Sequence, residues 1–239
     1  MWPFNKKTTI AASGILQGAA DHHSHILPCV DDGVEAMDES LRILSAYEDM
    51  GIRTVWLTPH IMEDIPNNPA KLQARFKELK GAYTGDIQLH LAAEYMIDNH
   101  LSKLLNSDEE LLPIGNARNH ILVETSYYNA PMRMNETLQH IKSLGYYPLL
   151  AHPERYMYLD NADYIKLHSQ GVKFQLNLAS LAGGYGPAVK KKALWLLSSG
   201  LYSVAGSDLH GEDSISFITK CKLSKQEIEQ VELLLHNGI

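Results

Sequence analysis

The chain has 239 residues, a formal net charge of −7 and two cysteines. This length is sufficient for one large hydrophobic core, whereas the negative charge argues against a nucleic-acid partner bound through a broad basic surface. No apolar stretch reaches the roughly 18–20 residues needed to span a bilayer, and two cysteines are too few for a disulfide framework, which favours a reducing cytoplasmic location.

The N-terminal segment, residues 1–20, contains a basic pair followed by a mildly apolar stretch. Gly14, Gln17 and Gly18 dilute that stretch, so it is a poor signal peptide. We expect an N-terminal arm over residues 1–20, packed on the rest of the chain or loosely ordered. No low-complexity linker divides the remainder, and residues 21–239 are therefore predicted to form a single domain.

The first predicted strand carries the sequence D-H-H-S-H from Asp21 to His25. Side chains alternate between the two faces of a strand, so His23 and His25 point to one face with their imidazoles side by side. Such a pair could form half of a metal site. His22 points to the opposite face and is expected to be a core histidine.

Six further apolar runs follow, and each leads to a residue that could bind a metal or a substrate. In chain order they are residues 52–58 before His60, 87–93 before Glu94, 120–123 before Glu124, 146–151 before His152, 172–178 with Asn177 near the end, and 201–205 before Asp208 and His210. Runs of Val, Ile, Leu and Tyr with few charges are typical of strands buried on both faces of a parallel sheet. If polar residues merely terminated these strands, Asn, Asp, Ser and Gly would be expected there instead of His and Glu.

Amphipathic stretches with helical spacing separate the runs, as at Met37, Leu41 and Leu44. The pattern predicts about seven β–α units, which either close into a barrel or wind into an open sheet. Functional groups collect beyond the carboxyl ends of the strands in both folds, but only a barrel gathers them around one centre. The fold class is therefore predicted to be α/β, with the strands closed into a barrel.

Seven short motifs resemble, in this order, those of the polymerase-and-histidinol-phosphatase superfamily, and more narrowly those of the CpsB/CapC-type bacterial tyrosine-protein phosphatases. They are D-H-H-S-H-I-L-P-C-V-D-D-G from Asp21, T-P-H ending at His60, A-A-E ending at Glu94, V-E-T-S from Val123, A-H-P-E-R-Y from Ala151, L-N-L-A-S-L from Leu176 and G-S-D-L-H ending at His210. The resemblance implies a distorted (β/α)7 TIM-like barrel.

The resemblance also implies two to three divalent metal ions. The three ligand sets would be His23, His25, Glu94 and Asp208; Glu94, Glu124 and His152; and Asp32, His60 and His210. Histidines and carboxylates without cysteine suit Mn, Fe or Zn. A water that bridges the ions would be acidic enough to act as a hydroxide nucleophile near neutral pH.

Arg155 and Asp208 are the predicted catalytic residues. Arg155 follows His152 by three positions, and its guanidinium could bind phosphate oxygens in a bidentate manner and stabilise transition-state charge. The alternative for Arg155 is a surface ion pair with Glu154 or Asp160.

Residues that follow the ligand-bearing strands are candidates for substrate contact. Asn177, Tyr127 and Tyr128 are predicted to bind the substrate, and Tyr185 could flank a substrate ring with them. Otherwise Asn177 caps a turn and the tyrosines are ordinary exposed loop residues.

Cys29 departs from the family pattern, because this position of the loop before Asp32 usually carries glycine. A glycine there could adopt a positive φ, which cysteine accepts poorly. The third metal set depends on this loop, so it is the set that the cysteine would disturb.

The resemblance implies a metal-dependent protein-tyrosine phosphatase that acts on a bacterial tyrosine kinase of capsule or exopolysaccharide export. Two alternatives remain: a phosphatase of a small phosphomonoester such as histidinol phosphate, and a non-catalytic metal-binding regulatory module. Cysteine-based phosphatase chemistry is excluded, because the arginine it needs six positions after the cysteine is replaced by Glu35 after Cys29 and by Glu227 after Cys221. No G-x₄-G-K-[ST] P-loop occurs either.

Overall fold

Parallel strands alternate with helices along the chain, of which the computed structural model describes residues 7–117 and 119–239. The strands are β1 Thr8–Thr9, β2 Ala20–Ser24, β3 Thr54–Leu57, β4 His60–Ile61, β5 Gln88–Leu91, β6 Glu94–Met96, β7 His120–Glu124, β8 Tyr147–Ala151, β9 Lys173–Asn177, β10 Val204–Gly206 and β11 Lys222–Leu223. The helices are α1 Ile10–Ser13, α2 Met37–Asp49, α3 Pro69–Ala82, α4 Asn99–Leu104, α5 Met134–Ser143, α6 Asn161–Ser169, α7 Leu178–Ala182, α8 Pro187–Ser198, α9 Asp213–Thr219 and α10 Lys225–Leu235, with a 3₁₀ turn over Pro153–Arg155.

Strands β2 to β10 form two parallel sheets that are continuous with each other. One sheet has the order β2-β3-β5, and the other has the order β10-β9-β8-β7-β6-β4. β3 leads into β4 across Thr58 and Pro59, and β5 leads into β6 across Ala92 and Ala93. Pro59 has no N–H to donate, so the ladder is interrupted there, although its carbonyl still accepts the Glu94 N–H at 3.1 Å. β3 and β5 lie within the predicted strands 52–58 and 87–93, and each is followed by a second short strand that the sequence did not predict.

The barrel closes between β2 and the end of β10. The His25 N–H donates to the Leu209 carbonyl at 2.9 Å, and the Asp208 N–H donates to the His23 carbonyl at 2.8 Å. Ser24 and Leu209 form a parallel bridge at the same place. These bonds confirm the predicted α/β fold, a distorted barrel with seven strand positions.

The two faces of the barrel strands bury different side chains. Leu122 lies two residues before Glu124 on β7 and therefore shares its inward face. Together with Trp56, Leu149 and Val204, Leu122 forms a compact apolar cluster. A larger core contains the strand residues that point to the outer face of the barrel, and it buries the inner faces of the surrounding helices. The interior is thus filled with side chains, and the polar residues occupy one end of it.

His22 is a core histidine, as expected. It is 3% exposed, and its Nδ1 atom lies 3.1 Å from the Ala205 carbonyl oxygen. Burial lowers the pKa of His22 to about 4, so the ring is neutral near pH 7.

The described part of the N-terminal arm, residues 7–20, packs against the C-terminal region. β1 pairs antiparallel with β11 through Thr8 and Leu223, and Ile10 and Ile15 are buried. The division of the chain at residue 20 stays a prediction, and residues 1–6 lie outside the described residues. Within the described ranges, no helix is both long enough and apolar enough to cross a membrane.

Candidate metal centre

The carboxyl ends of the barrel strands bring the first predicted ligand set together. His23 Nε2 lies 3.1 Å from Glu94 Oε2 and 3.4 Å from Asp208 Oδ1. His25 Nε2 lies 3.3 Å and 3.5 Å from the same two oxygens. All four side chains are buried, and they form a group that could hold one metal ion.

Buried hydrogen bonds fix the tautomers of both histidines. The His152 backbone N–H donates to Gln175 Oε1 at 3.1 Å, which identifies that atom as the amide oxygen. Nδ1 of His23 lies 3.0 Å from the same oxygen and therefore carries a proton. Asp31 Oδ2 accepts a bond from Nδ1 of His25 at 2.8 Å in the same way. Both Nε2 atoms consequently face the cluster, 3.1 Å from each other.

This arrangement requires positive charge between the facing nitrogens and the carboxylates. Burial lowers the pKa of His23, but the charges of Glu94 and Asp208 outweigh burial and raise the pKa to about 9. Burial raises the pKa of Glu94, but the charge of His23 holds it well below its usual range. Protons and metal ions compete for the same nitrogen atoms. A divalent cation would therefore satisfy the same electrostatic demand, and the residues present fit such an ion.

The side chains of the second predicted set, Glu94, Glu124 and His152, also lie close together, and His60 lies with them. His152 Nε2 lies 3.0 Å from Glu94 Oε1 and 3.9 Å from Glu124 Oε2. His60 Nδ1 lies 3.3 Å from Glu94 Oε2 and 3.2 Å from Glu124 Oε1, so His60 groups with these two carboxylates as well.

The third predicted set lies at the mouth of the barrel. Asp32 Oδ1 is 3.4 Å from His60 Nε2 and 3.6 Å from His210 Nε2, and His25 joins these three residues in one candidate group. The Asp32 side chain is 65% exposed, whereas the ligands of the other two groups are buried. This group is therefore the most accessible to solvent.

His60 carries an unsatisfied nitrogen that supports a metal ion. Its buried Nδ1 atom makes no hydrogen bond with any described residue, although two carboxylate oxygens are close. Leaving such an atom unpaired costs about 1–3 kcal/mol. A cation between Nδ1 and the carboxylates would remove that cost.

Backbone strain is concentrated around the same cluster. Cys29, His152 and Asp208 have φ values of 60°, 33° and 52°, and they are the only non-glycine residues with positive φ in the described ranges. Strain of this kind costs roughly 1–3 kcal/mol per residue and is typical of functional sites. Cys29 does adopt the left-handed conformation that the sequence suggested for this position, and the loop still brings Asp32 to His60.

Arg155 lies beside the cluster and does not form the surface ion pair considered as its alternative. Its Nη1 donates to Asp208 Oδ2 at 3.2 Å, and its side chain is 17% exposed. The guanidinium carbon lies 3.9 Å from the ring centroid of Tyr127 and 4.1 Å from that of Tyr185. The cavity in front of these side chains has a volume of about 290 Å³ and is lined by seven of the nine predicted metal ligands, all except His23 and His25.

The other predicted substrate contacts occupy different environments. Asn177 is buried, and its Nδ2 donates to Asp208 Oδ2 at 2.7 Å while its Oδ1 caps α7. The Tyr127 hydroxyl donates to Glu124 Oε2 at 3.1 Å. Tyr128 is 88% exposed and is not among the residues that line the cavity.

Asp31 and Gln175 were missed by the sequence interpretation. Asp31 adjoins Asp32 in the D-D-G loop, so either carboxylate was available to reach the cluster. Gln175 is a polar residue inside an apolar run, two positions before Asn177 and hence on the same face of β9. That interruption of the apolar pattern was the available signal.

Comparisons with known proteins agree with this geometry. The family model described as capsular polysaccharide synthesis, CpsB/CapC, matches residues 19–228. The tyrosine-protein phosphatase YwqE of Bacillus subtilis is 30% identical over 234 residues, which cover 91% of this chain and 91% of YwqE.

Solved structures share the fold. One similar crystal structure belongs to a study of YwqE of Bacillus subtilis and CpsB of Streptococcus pneumoniae, which are described as metal-dependent tyrosine phosphatases. Its TM-score is 0.73 at 26% identity, and the match covers 92% of this chain and 95% of that one. A histidinol phosphate phosphatase of Lactococcus lactis has a TM-score of 0.50 and 12% identity, covering 92% and 93%, and shows likeness of fold alone. The extent of the family match and the identity to YwqE establish that the chain belongs to the CpsB/CapC family.

Proposed function

We propose that this protein is a metal-dependent protein-tyrosine phosphatase. The observation that carries the proposal is the buried pair of histidines whose Nε2 atoms both lie close to the Glu94 and Asp208 carboxylates, beside a cavity of about 290 Å³ with an arginine at its wall. The relatives named as tyrosine-protein phosphatases support the choice of substrate.

The metal ligands in this proposal are the nine predicted residues. They are His23, His25, Asp32, His60, Glu94, Glu124, His152, Asp208 and His210. We propose two to three divalent ions, with Mn, Fe or Zn suited to this donor set. When bound, such ions would acidify a water molecule and neutralise part of the charge of a phosphate monoester.

Arg155 and Asp208 are the proposed catalytic residues. Oδ1 of Asp208 lies close to the histidines, and its Oδ2 accepts a hydrogen bond from Arg155. Asp208 therefore holds the guanidinium next to the proposed metal ions. Arg155 would bind phosphoryl oxygens through its free N–H groups and stabilise the charge that develops on them. Asn177, Tyr127 and Tyr128 stay predicted substrate contacts.

The substrate would be a phosphotyrosine of a protein, and we propose a bacterial tyrosine kinase of polysaccharide export in the cytoplasm as its source. The family description, capsular polysaccharide synthesis, supports this partner. The leaving group would be a phenolate, which needs less general-acid assistance than an alkoxide.

Metal analysis combined with turnover of an aryl phosphate tests the proposal. We expect the purified protein to contain divalent metal and to lose activity on chelation. Asp208→Ala is expected to lower kcat/KM at least 100-fold with partial loss of metal, because it removes a ligand and the anchor of Arg155. Asp108→Ala, which changes an exposed carboxylate away from the cluster, is the matched control.

Three results would contradict the proposal. Full activity after exhaustive chelation would exclude the metal-dependent mechanism. Faster turnover of histidinol phosphate than of a phosphotyrosine peptide would favour the small-phosphomonoester alternative, and metal binding without any hydrolysis of aryl phosphates would favour a regulatory module.

A further inference from the structure

The guanidinium of Arg155 is stacked against two aromatic rings that belong to different loops. Its central carbon lies 3.9 Å from the Tyr127 centroid and 4.1 Å from the Tyr185 centroid, which is within the range of a cation–π contact for both rings. The Arg155 side chain is 17% exposed, whereas Tyr127 and Tyr185 in front of it are 37% and 38% exposed. The group is thus covered by ring faces, while its N–H edge stays available for hydrogen bonds.

The sheet order explains why two rings meet at one arginine. Arg155 ends the 3₁₀ turn after β8, and β8 lies between β7 and β9 in the sheet. Tyr127 follows β7, and Tyr185 lies in the loop between α7 and α8, which follow β9. Because the carboxyl ends of parallel strands are adjacent, the neighbouring loops place one ring on either side of Arg155.

The edge of the guanidinium is directed at the candidate metal ligands. Nη1 donates to Asp208 Oδ2 at 3.2 Å, and the same oxygen accepts the Asn177 amide at 2.7 Å. Tyr127, Arg155 and Tyr185 line the same cavity as the candidate ligands.

We propose that Tyr127 and Tyr185 are positioning residues for Arg155, which hold its N–H edge toward the phosphoryl oxygens of the substrate. This inference rests on the proposed phosphatase function. It gives the two tyrosines a role through the arginine that is separate from the substrate contact predicted for Tyr127.

A flexible arginine loses considerable side-chain entropy when it becomes ordered on a ligand. Stacking on two rings orders the group before the substrate arrives and removes water from its faces. Both effects strengthen the bond between the guanidinium and an oxyanion. Removal of a ring should therefore weaken phosphate binding more than removal of a hydroxyl alone.

The test compares leucine and phenylalanine at the two positions. For Tyr127→Leu and Tyr185→Leu we expect the KM for an aryl phosphate and the Kd for inorganic phosphate, measured by calorimetry, to rise about 5- to 30-fold each. Tyr127→Phe and Tyr185→Phe keep the ring faces and remove only the hydroxyl groups, which bond to Glu124 and Asp208. The rise in both constants should therefore be smaller in each phenylalanine variant than in the leucine variant at the same position. The metal content of every variant is measured to show that the cluster is intact.

Tyr147→Leu is the matched control, because Tyr147 is a 48% exposed tyrosine at the opposite end of β8. Wild-type phosphate affinity in both leucine variants, or equal losses in the leucine and phenylalanine variants, would overturn the inference. The leucine variants could weaken phosphate binding as expected while the wild-type protein hydrolyses no aryl phosphate. In that case the proposed function fails and the positioning role stands. If the wild-type protein binds no phosphate, the positioning role fails too.

Discussion

Replacement of Gly206 by alanine would force β10 away from β2 at the place where the barrel closes. A Cβ atom on Gly206 would lie 2.5 Å from His23 Cβ, 2.7 Å from the His23 backbone nitrogen and 3.0 Å from Gln175 Nε2. Contacts between carbon atoms are normally about 3.5–4.0 Å, so the strands would have to separate by about 1 Å. The obstacle is partly backbone, which cannot rotate out of the way.

The cost follows from the bonds at this closure. Overpacking of a core typically costs about 1–3 kcal/mol. The separation would also stretch the bonds from Asp208 N–H to the His23 carbonyl and from Ser207 N–H to Asp21 Oδ1, both 2.8 Å long, and each contributes about 1 kcal/mol. We therefore expect the free energy of unfolding to fall by about 2–5 kcal/mol and Tm to fall by roughly 5–20 °C.

Urea denaturation and calorimetry measure this change, and Gly81→Ala is the matched control. Gly81 lies in α3, and a Cβ atom there would meet nothing within 4 Å. The control should be neutral or stabilised by up to about 1 kcal/mol, because alanine favours helix. If Gly206→Ala unfolds at the same urea concentration as Gly81→Ala, the close approach of β2 and β10 does not limit stability and the reasoning is wrong.

Gln175→Met removes the oxygen that holds His23 and the His152 backbone, so metal affinity measured by chelator competition should fall about 10- to 100-fold; an unchanged affinity would refute this. His22 has a pKa of about 4 in the folded protein and 6.5 when unfolded, so the unfolded state takes up the proton first as pH falls. Neutral His22 contributes at most about 3 kcal/mol to the free energy of unfolding. In urea titrations, this contribution should be complete above pH 6.5 and lost as the pH falls toward 4. His22→Leu should lack this pH dependence, and equal slopes for wild type and variant would contradict it. Chelation should lower Tm and added divalent metal should restore it, because an ion that binds only the folded cluster stabilises the folded state; a Tm that is insensitive to chelator would argue against a resident ion.

The sequence was sufficient to predict the barrel and the set of residues at its mouth. Apolar runs such as residues 146–151 identify buried parallel strands, and the position of His152 directly after such a run identifies the end of the barrel at which it lies. Parallel strands present their carboxyl ends at one edge, so residues from distant segments were expected to meet there. The same alternation placed His22 on the opposite face from His23, and the structure agrees.

Only the tertiary structure decided which partners these residues have. Tyr127 and Tyr128 are adjacent and alike in sequence, but one ring covers Arg155 and the other is exposed, because the loop turns between them. Nothing local in the sequence links Gln175 to His23, which lie 152 positions apart and meet through a hydrogen bond across the barrel. Strand periodicity determines the face on which a side chain lies, since it depends on local backbone geometry. Hydrogen bonds and ring contacts depend on distances of a few ångströms between separate strands, and these are set only when the whole barrel has closed.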